Sequence, residues 1–203
     1  MSGLQDQFGQ IDIYLFDQLL RARIVPGMRI LDAGCGPGRN LVYFLREDYE
    51  VFGADADHIS IEAVRRLAAE LAPSLPADNF RLEPIESMTF ADSFADVVLS
   101  SAVLHFAKTD DQFAAMLRGT WRVLKPGGLL FARLASSIGM EQLVRRVAGR
   151  RHRLPDGTER YLVDEPLLSE WTRELGGELL DPIKTTVVQQ QRCMTTWVTR
   201  KVT

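Results

Sequence analysis

The sequence has few cysteines: only Cys35 and Cys193 occur among 203 residues. Their wide separation fits neither a disulfide scaffold nor the ligand spacing of a zinc site, so we expect reduced thiols and no bound metal. Long apolar runs are also missing, since none reaches the roughly 18 residues of a membrane-spanning helix. The first ten residues lack the basic and apolar stretches of a signal peptide. We therefore expect a cytoplasmic protein without a membrane partner.

An excess of charge of one sign is missing as well. Lysine and arginine number 24 against 27 acidic residues, and the formal net charge is -3 at pH 7. The whole chain thus lacks the basic footprint of a protein that binds polyanions, and we do not expect a nucleic-acid partner. A hydrophobic content of 46% is typical of a globular domain. We predict a single domain over residues 1–203, present as a monomer or a homodimer.

Short apolar runs alternate along the chain with stretches that have helical apolar spacing. The predicted strands lie near 28–31, 51–54, 80–83, 95–100 and 129–134. The predicted helices lie near 12–23, 40–46, 59–71, 109–121 and 165–175. Asp57 is the predicted cap of the third of these, and Thr109 caps the fourth in a capping box with Gln112. This alternation favours a doubly wound α/β fold whose mainly parallel sheet carries helices on both faces. Two β-rich runs, 181–189 and 193–201, predict an antiparallel pair at the C-terminal end that closes the sheet.

Three alternating glycines, Gly34, Gly36 and Gly38, separate the first predicted strand from the next helix. Glycine has no Cβ, so such a loop turns sharply and lets its amides approach a bound nucleoside. The dinucleotide fingerprint Gly-x-Gly-x-x-Gly would need a further glycine where Arg39 stands. The spacing therefore argues against a nicotinamide cofactor.

Acidic residues stand at the ends of the two strands beside this loop. Asp32 suits an ammonium group better than a pyrophosphate, so its charge favours a cationic ligand. Asp55 ends the second predicted strand, at the place where sheets of this type bind ribose hydroxyls. A tight turn without a ligand requires neither the alternating glycines nor these acids. We interpret the loop as a ligand site.

The order of these motifs resembles the class I S-adenosylmethionine-dependent methyltransferases, in the type 11, type 12 or tellurite-resistance-like group. The resemblance covers roughly residues 11–134 and includes the segments 94–98, 100–105 and 122–128. It implies a Rossmann-like fold, S-adenosylmethionine as cofactor with S-adenosylhomocysteine as product, and methyl transfer to a small-molecule acceptor. It also implies an N-terminal helical lid over 1–27 and an acceptor-side insertion over 136–164.

The same resemblance assigns residues to the cofactor. The glycine loop would hold the methionine part, Asp55 would hold the ribose, and the chain around Pro84 would reach the adenine. Pro84 stands where the family has an aspartate, so the backbone of Ile85 and the neighbouring Glu86 take its place in this assignment. The implied cofactor-binding residues are Asp32, Ala33, Gly34, Cys35, Gly36, Gly38, Asp55, Ala56, Ile85, Glu86 and Ser100.

Candidates for acceptor binding and catalysis lie near the carboxyl ends of the strands. His105 has a side chain suited to general-base catalysis and acceptor contact, although such a histidine often only bonds backbone. Tyr14 would line the acceptor pocket from the leading helix, or else belong to the core. The run 145–153 holds five arginines, and Arg150 is the predicted ligand of an anionic acceptor. The alternative for this run is a solvated helix end followed by a charged hairpin.

Other functions remain open at this point. A protein that binds S-adenosylmethionine without transferring its methyl group would keep the same loop and strand-end acids. A nucleic-acid methyltransferase is disfavoured by the net acidity of the chain. Arg133 is unusual in a buried strand, and we expect it to form a structural salt bridge.

Overall fold

The computed structural model describes residues 3–47 and 49–202. Its helices are α1 Leu4–Phe8, α2 Ile13–Leu20, α3 Val42–Arg46, α4 His58–Leu71, α5 Asp110–Val123 and α6 Glu165–Glu174. Its first strands are β1 Arg29–Ala33, β2 Glu50–Asp55, β3 Phe80–Leu82, β4 Ala95–Ser101 and β5 Leu124–Ala135. The later strands are β6 Arg145–Ala148, β7 Arg151–Arg153, β8 Glu159–Tyr161, β9 Gly177–Leu179, β10 Lys184–Val188 and β11 Arg192–Lys201.

The main sheet has the strand order β10-β11-β5-β4-β1-β2-β3, and β9 also pairs with β11. Strands β1 to β5 all run parallel to one another. Strand β11 lies antiparallel to β5, and β10 lies antiparallel to β11. The predicted Rossmann-like α/β fold with an antiparallel C-terminal strand is thus confirmed. The predicted pair 181–189 and 193–201 forms, and β11 extends the sheet beyond β5.

Apolar side chains fill both faces of this sheet. Leu31 of β1 packs with α5 and α6 on one face, whereas its neighbour Ile30 packs with α2, α3 and α4 on the other. Successive residues of a strand point to opposite faces, so a strand buried on both sides is apolar throughout. This burial explains why β4, a short and almost continuous apolar run, lies at the centre of the sheet.

Side-chain caps fix where two of the longer helices begin. Asp57 accepts hydrogen bonds from the amides of Ile59 and Ser60 at the start of α4. Thr109 accepts one from the amide of Gln112 at the start of α5. The Gln112 side chain reaches back to the amide of Lys108, not to that of Thr109, so the predicted capping box is shifted by one residue. Both predicted helix starts are confirmed.

The chain departs from the predicted boundaries in two places. The fifth strand was predicted to begin near residue 129, yet β5 begins at Leu124, which pairs with Ala95 before a β-bulge shifts the register. The run 145–153 contains no helix end, but it forms the charged hairpin of the alternative interpretation as β6 and β7, which join β8 in a separate three-stranded sheet. No helix among residues 3–47 and 49–202 is long and apolar enough to cross a membrane.

Candidate functional site

The glycine loop leaves β1 with all three glycines at positive φ, +88°, +52° and +86° at Gly34, Gly36 and Gly38. These are backbone conformations that other residues rarely adopt. A Cβ at Gly34 would collide with Val103, and one at Gly38 would lie 2.8 Å from the Val64 side chain. A Cβ at Gly36 would meet nothing within 4 Å. Two glycines therefore serve packing, while Gly36 borders open space.

That open space is a cavity of about 430 Å³ at the carboxyl ends of β1, β2 and β4, called the first cavity below. Open α/β sheets bind their ligands at this edge. Predicted cofactor residues line much of it, namely Gly34, Cys35, Gly36, Asp55, Ala56, Ile85 and Glu86. Other lining residues were not predicted, namely Pro37, Arg39, Asn40, Pro84, Ser101, Ala102, Val103, Phe106, Gln112 and Met116.

Asp55 joins the end of β2 to the glycine loop. Its Oδ2 accepts a hydrogen bond of 2.8 Å from the amide of Gly36, and its Oδ1 accepts one of 2.9 Å from the amide of Asp57. A carboxylate offers about four lone-pair positions, so acceptor capacity is left for hydroxyl groups in the first cavity. The structure thus brings the glycine loop and the strand-end acid Asp55 together at one cavity, as predicted.

Four predicted cofactor residues do not line the first cavity, namely Asp32, Ala33, Gly38 and Ser100. Asp32 is buried beneath the loop, and its Oδ1 has no hydrogen-bond partner among the described residues. Burial raises its pKa to about 8, against the opposing charge of Arg39. Asp32 lies outside the first cavity, and its contact with the ammonium group of a ligand stays a prediction.

Two hydrogen-bonded pairs of polar side chains in the first cavity were not predicted from the sequence. The guanidinium of Arg39 donates to Ser101 Oγ at 3.0 Å, and the side-chain Nε2 of Gln112 donates to Glu86 Oε1 at 3.2 Å. In the sequence Arg39 only excluded the dinucleotide fingerprint, and Gln112 only marked a helix start. No local pattern signals either role, because β4 and α5 bring these side chains together from distant positions.

A family model described as a methyltransferase domain matches residues 31–132, which include the glycine loop, Asp55 and the first five strands up to Ala132. The chain belongs to this family. It is a class I S-adenosylmethionine-dependent methyltransferase domain, with S-adenosylmethionine as its cofactor. The family resemblance noted in the sequence is therefore confirmed.

Named relatives of this methyltransferase domain differ in what they act on. A ubiquinone biosynthesis O-methyltransferase from Chelativorans sp. is 29% identical over 176 residues, which are 80% of this chain and 66% of that protein. A 1,6-didemethyltoxoflavin-N1-methyltransferase from Burkholderia thailandensis has a TM-score of 0.71 at 19% identity, covering 96% of this chain and 80% of its own. The cyclase SpnF also has a TM-score of 0.71 at 19% identity, and the match covers 93% of this chain and 80% of the SpnF chain. At these identities, the two structures show only that this chain has the same fold.

A second cavity, of about 270 Å³, adjoins the first in the methyltransferase domain, and Ala102 lines both. It lies at the carboxyl ends of β4 and β5, where β8 and the β10–β11 hairpin surround it. The other residues that line it are His105, Arg133, Ala135, Leu154, Asp156, Thr158, Arg160, Val188, Arg192 and Met194. Of the predicted acceptor ligands, this cavity contains only His105.

His105 is nearly buried, and its Nδ1 accepts a hydrogen bond of 3.1 Å from the amide of Ala135. Burial, together with the charge of Arg160, lowers its pKa to about 4, so the ring is neutral at pH 7. A neutral ring whose Nδ1 accepts carries its proton on Nε2 and has no free lone pair for a base. The geometry thus replaces the predicted general base with a hydrogen-bond donor.

Tyr14 and Arg150 line neither cavity. The Tyr14 hydroxyl bonds Thr186 Oγ1 at 2.8 Å, which ties α2 to β10. Arg150 forms an ion pair of 2.9 Å with Asp164, at a separate surface depression. No described residue of the predicted lid, 3–27, lines either cavity, because α2 packs into the core through Leu15.

Arg133 pairs with the buried Asp12 at 2.6 Å, so the expected structural salt bridge is confirmed. Asp12 is also the N-cap of α2, where it accepts a hydrogen bond from the amide of Tyr14. The pair therefore holds the N-terminal segment against the end of β5. Arg133 also lines the second cavity, and its buried Nε has no hydrogen-bond partner among the described residues.

Proposed function

We propose that the chain transfers a methyl group from S-adenosylmethionine to an oxygen of a small, anionic acceptor molecule. The observation that carries the proposal is the pairing of the Gly36 amide with the Asp55 carboxylate at the edge of the first cavity. This arrangement offers a loop that a nucleoside can approach closely and a carboxylate for its hydroxyl groups. The chain spans 66% of the Chelativorans O-methyltransferase, so the activity of the whole protein is part of the proposal.

Side chains of the first cavity have the chemistry that each part of the cofactor needs. In this proposal Asp55 accepts hydrogen bonds from the ribose hydroxyls. Arg39 holds the methionyl carboxylate, because a guanidinium pairs well with a carboxylate. The adenine lies against the side chains of Glu86 and Gln112 and the backbone of Ile85. These groups take the place of the family's aspartate, where this chain has Pro84. The remaining predicted residues, Asp32, Ala33, Gly38 and Ser100, do not line the first cavity and act through the loop and strands to which they belong.

Positioning is the main contribution of the chain to the reaction. When bound, S-adenosylmethionine would supply a methyl group, and its transfer would form a carbon–oxygen bond, break the carbon–sulfur bond with its electron pair left on sulfur, and pass the acceptor's hydroxyl proton to bulk solvent. The walls of the two cavities hold the partners and exclude water, and such positioning alone can supply several kcal/mol of the barrier. His105 donates a hydrogen bond from its Nε2–H to the acceptor, which orients the acceptor.

Oxygen is the proposed methylated atom because the Chelativorans relative is an O-methyltransferase. The Burkholderia neighbour is an N1-methyltransferase, but at 19% identity it supports the fold alone. An anionic, small-molecule acceptor is supported by the second cavity, which has a volume of about 270 Å³ and is lined by three arginines.

The proposal predicts transfer of a labelled methyl group from S-adenosylmethionine to members of a panel of hydroxylated carboxylic acids. Mass spectrometry of the products would identify an added methyl group on oxygen. Asp55→Ala should lower transfer at least about tenfold, because it removes the proposed ribose contact. Binding of S-adenosylmethionine without transfer to any acceptor would favour the alternative, a cofactor-binding protein without transfer activity.

A further inference from the structure

Arginines converge on the second cavity, and two of them lack an acidic partner. Arg160 and Arg192 form no ion pair with any residue of 3–47 or 49–202. The nearby Arg150, Arg151 and Arg153, by contrast, pair with Asp164 or Glu159 at 2.9 Å. Paired arginines have a structural role already, whereas the unpaired two offer free hydrogen-bond donors for an anion.

The charge balance of the second cavity favours a ligand with a single negative charge. Asp12 neutralises Arg133, and Asp156 offsets one of the two unpaired guanidiniums. One positive charge is left over in the part of the chain that the structure describes. The Thr158 hydroxyl and, after it, the charges of Arg160 and Arg192 hold the pKa of Asp156 below its ordinary value, so Asp156 is ionised at pH 7.

One part of the wall of the second cavity is apolar. Ala135, Leu154, Val188 and Met194 contribute this part, and the volume of about 270 Å³ lies at the small end for ligand pockets. A ligand held there therefore needs a compact apolar body beside its charge. His105 adds one neutral donor, the Nε2 proton, which suits a hydroxyl oxygen of the same ligand.

The second cavity is also adjacent to the place of the cofactor. Ala102 lines both cavities, and the Arg160 guanidinium lies over the ring of Phe106, with its Cζ 4.9 Å from the centroid. Phe106 lines the first cavity and is 58% exposed. Arg160 thus stands at the boundary between the two cavities, held by the ring and by a hydrogen bond of 2.7 Å to the backbone of Glu159.

We infer that the second cavity is the acceptor pocket and that it selects a compact carboxylate, which Arg160 and Arg192 bind while the apolar walls hold its body. The inference rests on the proposed function, since an acceptor needs a cofactor beside it. In this inference Arg160 and Arg192 bind the anion in place of the predicted Arg150, although no pattern in the sequence links these two arginines.

Binding of benzoate and of its neutral counterpart benzamide tests the pocket without any turnover. The full chain, saturated with S-adenosylhomocysteine, is titrated with each probe at millimolar concentrations and followed by ligand-observed NMR. We expect benzoate to bind about tenfold more tightly than benzamide, because only benzoate pairs with guanidinium groups. Arg192→Met and Arg160→Met should each weaken benzoate binding about tenfold and leave benzamide binding unchanged.

Arg145→Met is the matched control, since Arg145 is an exposed arginine of the small sheet that lines neither cavity. It should bind benzoate as the wild type does. Arg192 is exposed, so its variant should keep the wild-type fold and the wild-type affinity for S-adenosylhomocysteine. Equal affinity for the two probes, no detectable benzoate binding, or wild-type benzoate binding by Arg192→Met would overturn the inference. Absence of S-adenosylhomocysteine binding to wild type would instead contradict the proposed function, whichever probe binds.

Discussion

At the scale of single residues, the environment of His105 determines which chemistry its imidazole can perform. Its Nδ1 bonds the amide of Ala135, and almost no part of the side chain reaches solvent. The charged form would lose both its hydration and this hydrogen bond, since a protonated Nδ1 cannot accept. The neutral form is therefore the native one, and protonation of His105 must oppose folding.

This coupling predicts a pH dependence of stability that belongs to His105. With a folded pKa of about 4 against an ordinary value of 6.5, the contribution is fully present above pH 6.5 and is lost as the pH falls through 4. The loss is on the order of 3 kcal/mol. His105→Asn keeps an acceptor for Ala135 but does not titrate, so urea unfolding between pH 7 and pH 4 should separate the two proteins progressively.

The comparison with His105→Asn is needed because the titration of Asp32 changes the free energy of unfolding with pH in the opposite direction to that of His105. Its folded pKa is raised, so its contribution to stability falls as the pH rises toward 8. Both proteins contain Asp32, and the difference between their unfolding free energies isolates His105. Parallel pH profiles for the two proteins would show that the histidine is not buried in its neutral form.

The residue scale is also where sequence reasoning was least precise. Ser100 was predicted at the cofactor, yet its neighbour Ser101 lines the first cavity. Successive residues of a strand face opposite sides, so an error of one position moves the side chain to the other face. Arg160 and Arg192 are 32 positions apart in the sequence, and only the folded chain brings them to one cavity. Spacing along a sequence contains no signal for such a pair.

At the scale of elements, the ion pair of Asp12 and Arg133 links α2 to the end of β5. The Asp12 side chain is fully buried, while that of Arg133 is 22% exposed. Arg133→Met should lower the free energy of unfolding by about 3–5 kcal/mol, because it leaves a buried carboxylate without its partner. Chemical denaturation of the purified variant measures this loss.

A double-mutant cycle separates the pair from its surroundings. Asp12→Asn keeps the N-cap of α2, and adding it to Arg133→Met should restore part of the lost stability, since the unpaired carboxylate is removed. Strictly additive losses in the double variant would contradict the interpretation that this pair holds the N-terminal segment in place.

Elements with strong local signals were predictable, and the others were not. The caps Asp57 and Thr109 and the apolar run of β4 gave correct positions, because caps and buried strands have their own residue patterns. In the sheet of β6, β7 and β8 only the charged hairpin was anticipated, as an alternative, because β6 is exposed along its whole length and rich in arginine and so lacks the pattern of a buried strand. The early start of β5 depends on a bulge opposite Ala95, which no residue near Leu124 indicates.

At the scale of the whole molecule, net charge and local charge point in different directions. The chain has a formal net charge of -3, yet the second cavity holds an excess of guanidinium groups. Net charge therefore bears on polyanion binding by the whole surface but says nothing of a small anion in a pocket. Monomer or homodimer stays a prediction at this scale, as do the roles of the segments 1–27 and 136–164.

The central claim is that the first cavity binds the cofactor, and isothermal titration of the protein with S-adenosylhomocysteine tests it most directly. Gly36→Ala would place a methyl group in the cavity and add about 1–2 kcal/mol of backbone strain. Gly27→Ala is its matched control, because Gly27 also has positive φ and open space around its Cβ but lines neither cavity. We predict micromolar binding by wild type and Gly27→Ala, and a loss of about tenfold or more in Gly36→Ala. Folded wild-type protein that binds no S-adenosylhomocysteine, or a Gly36→Ala variant that binds it as wild type does, would contradict the claim.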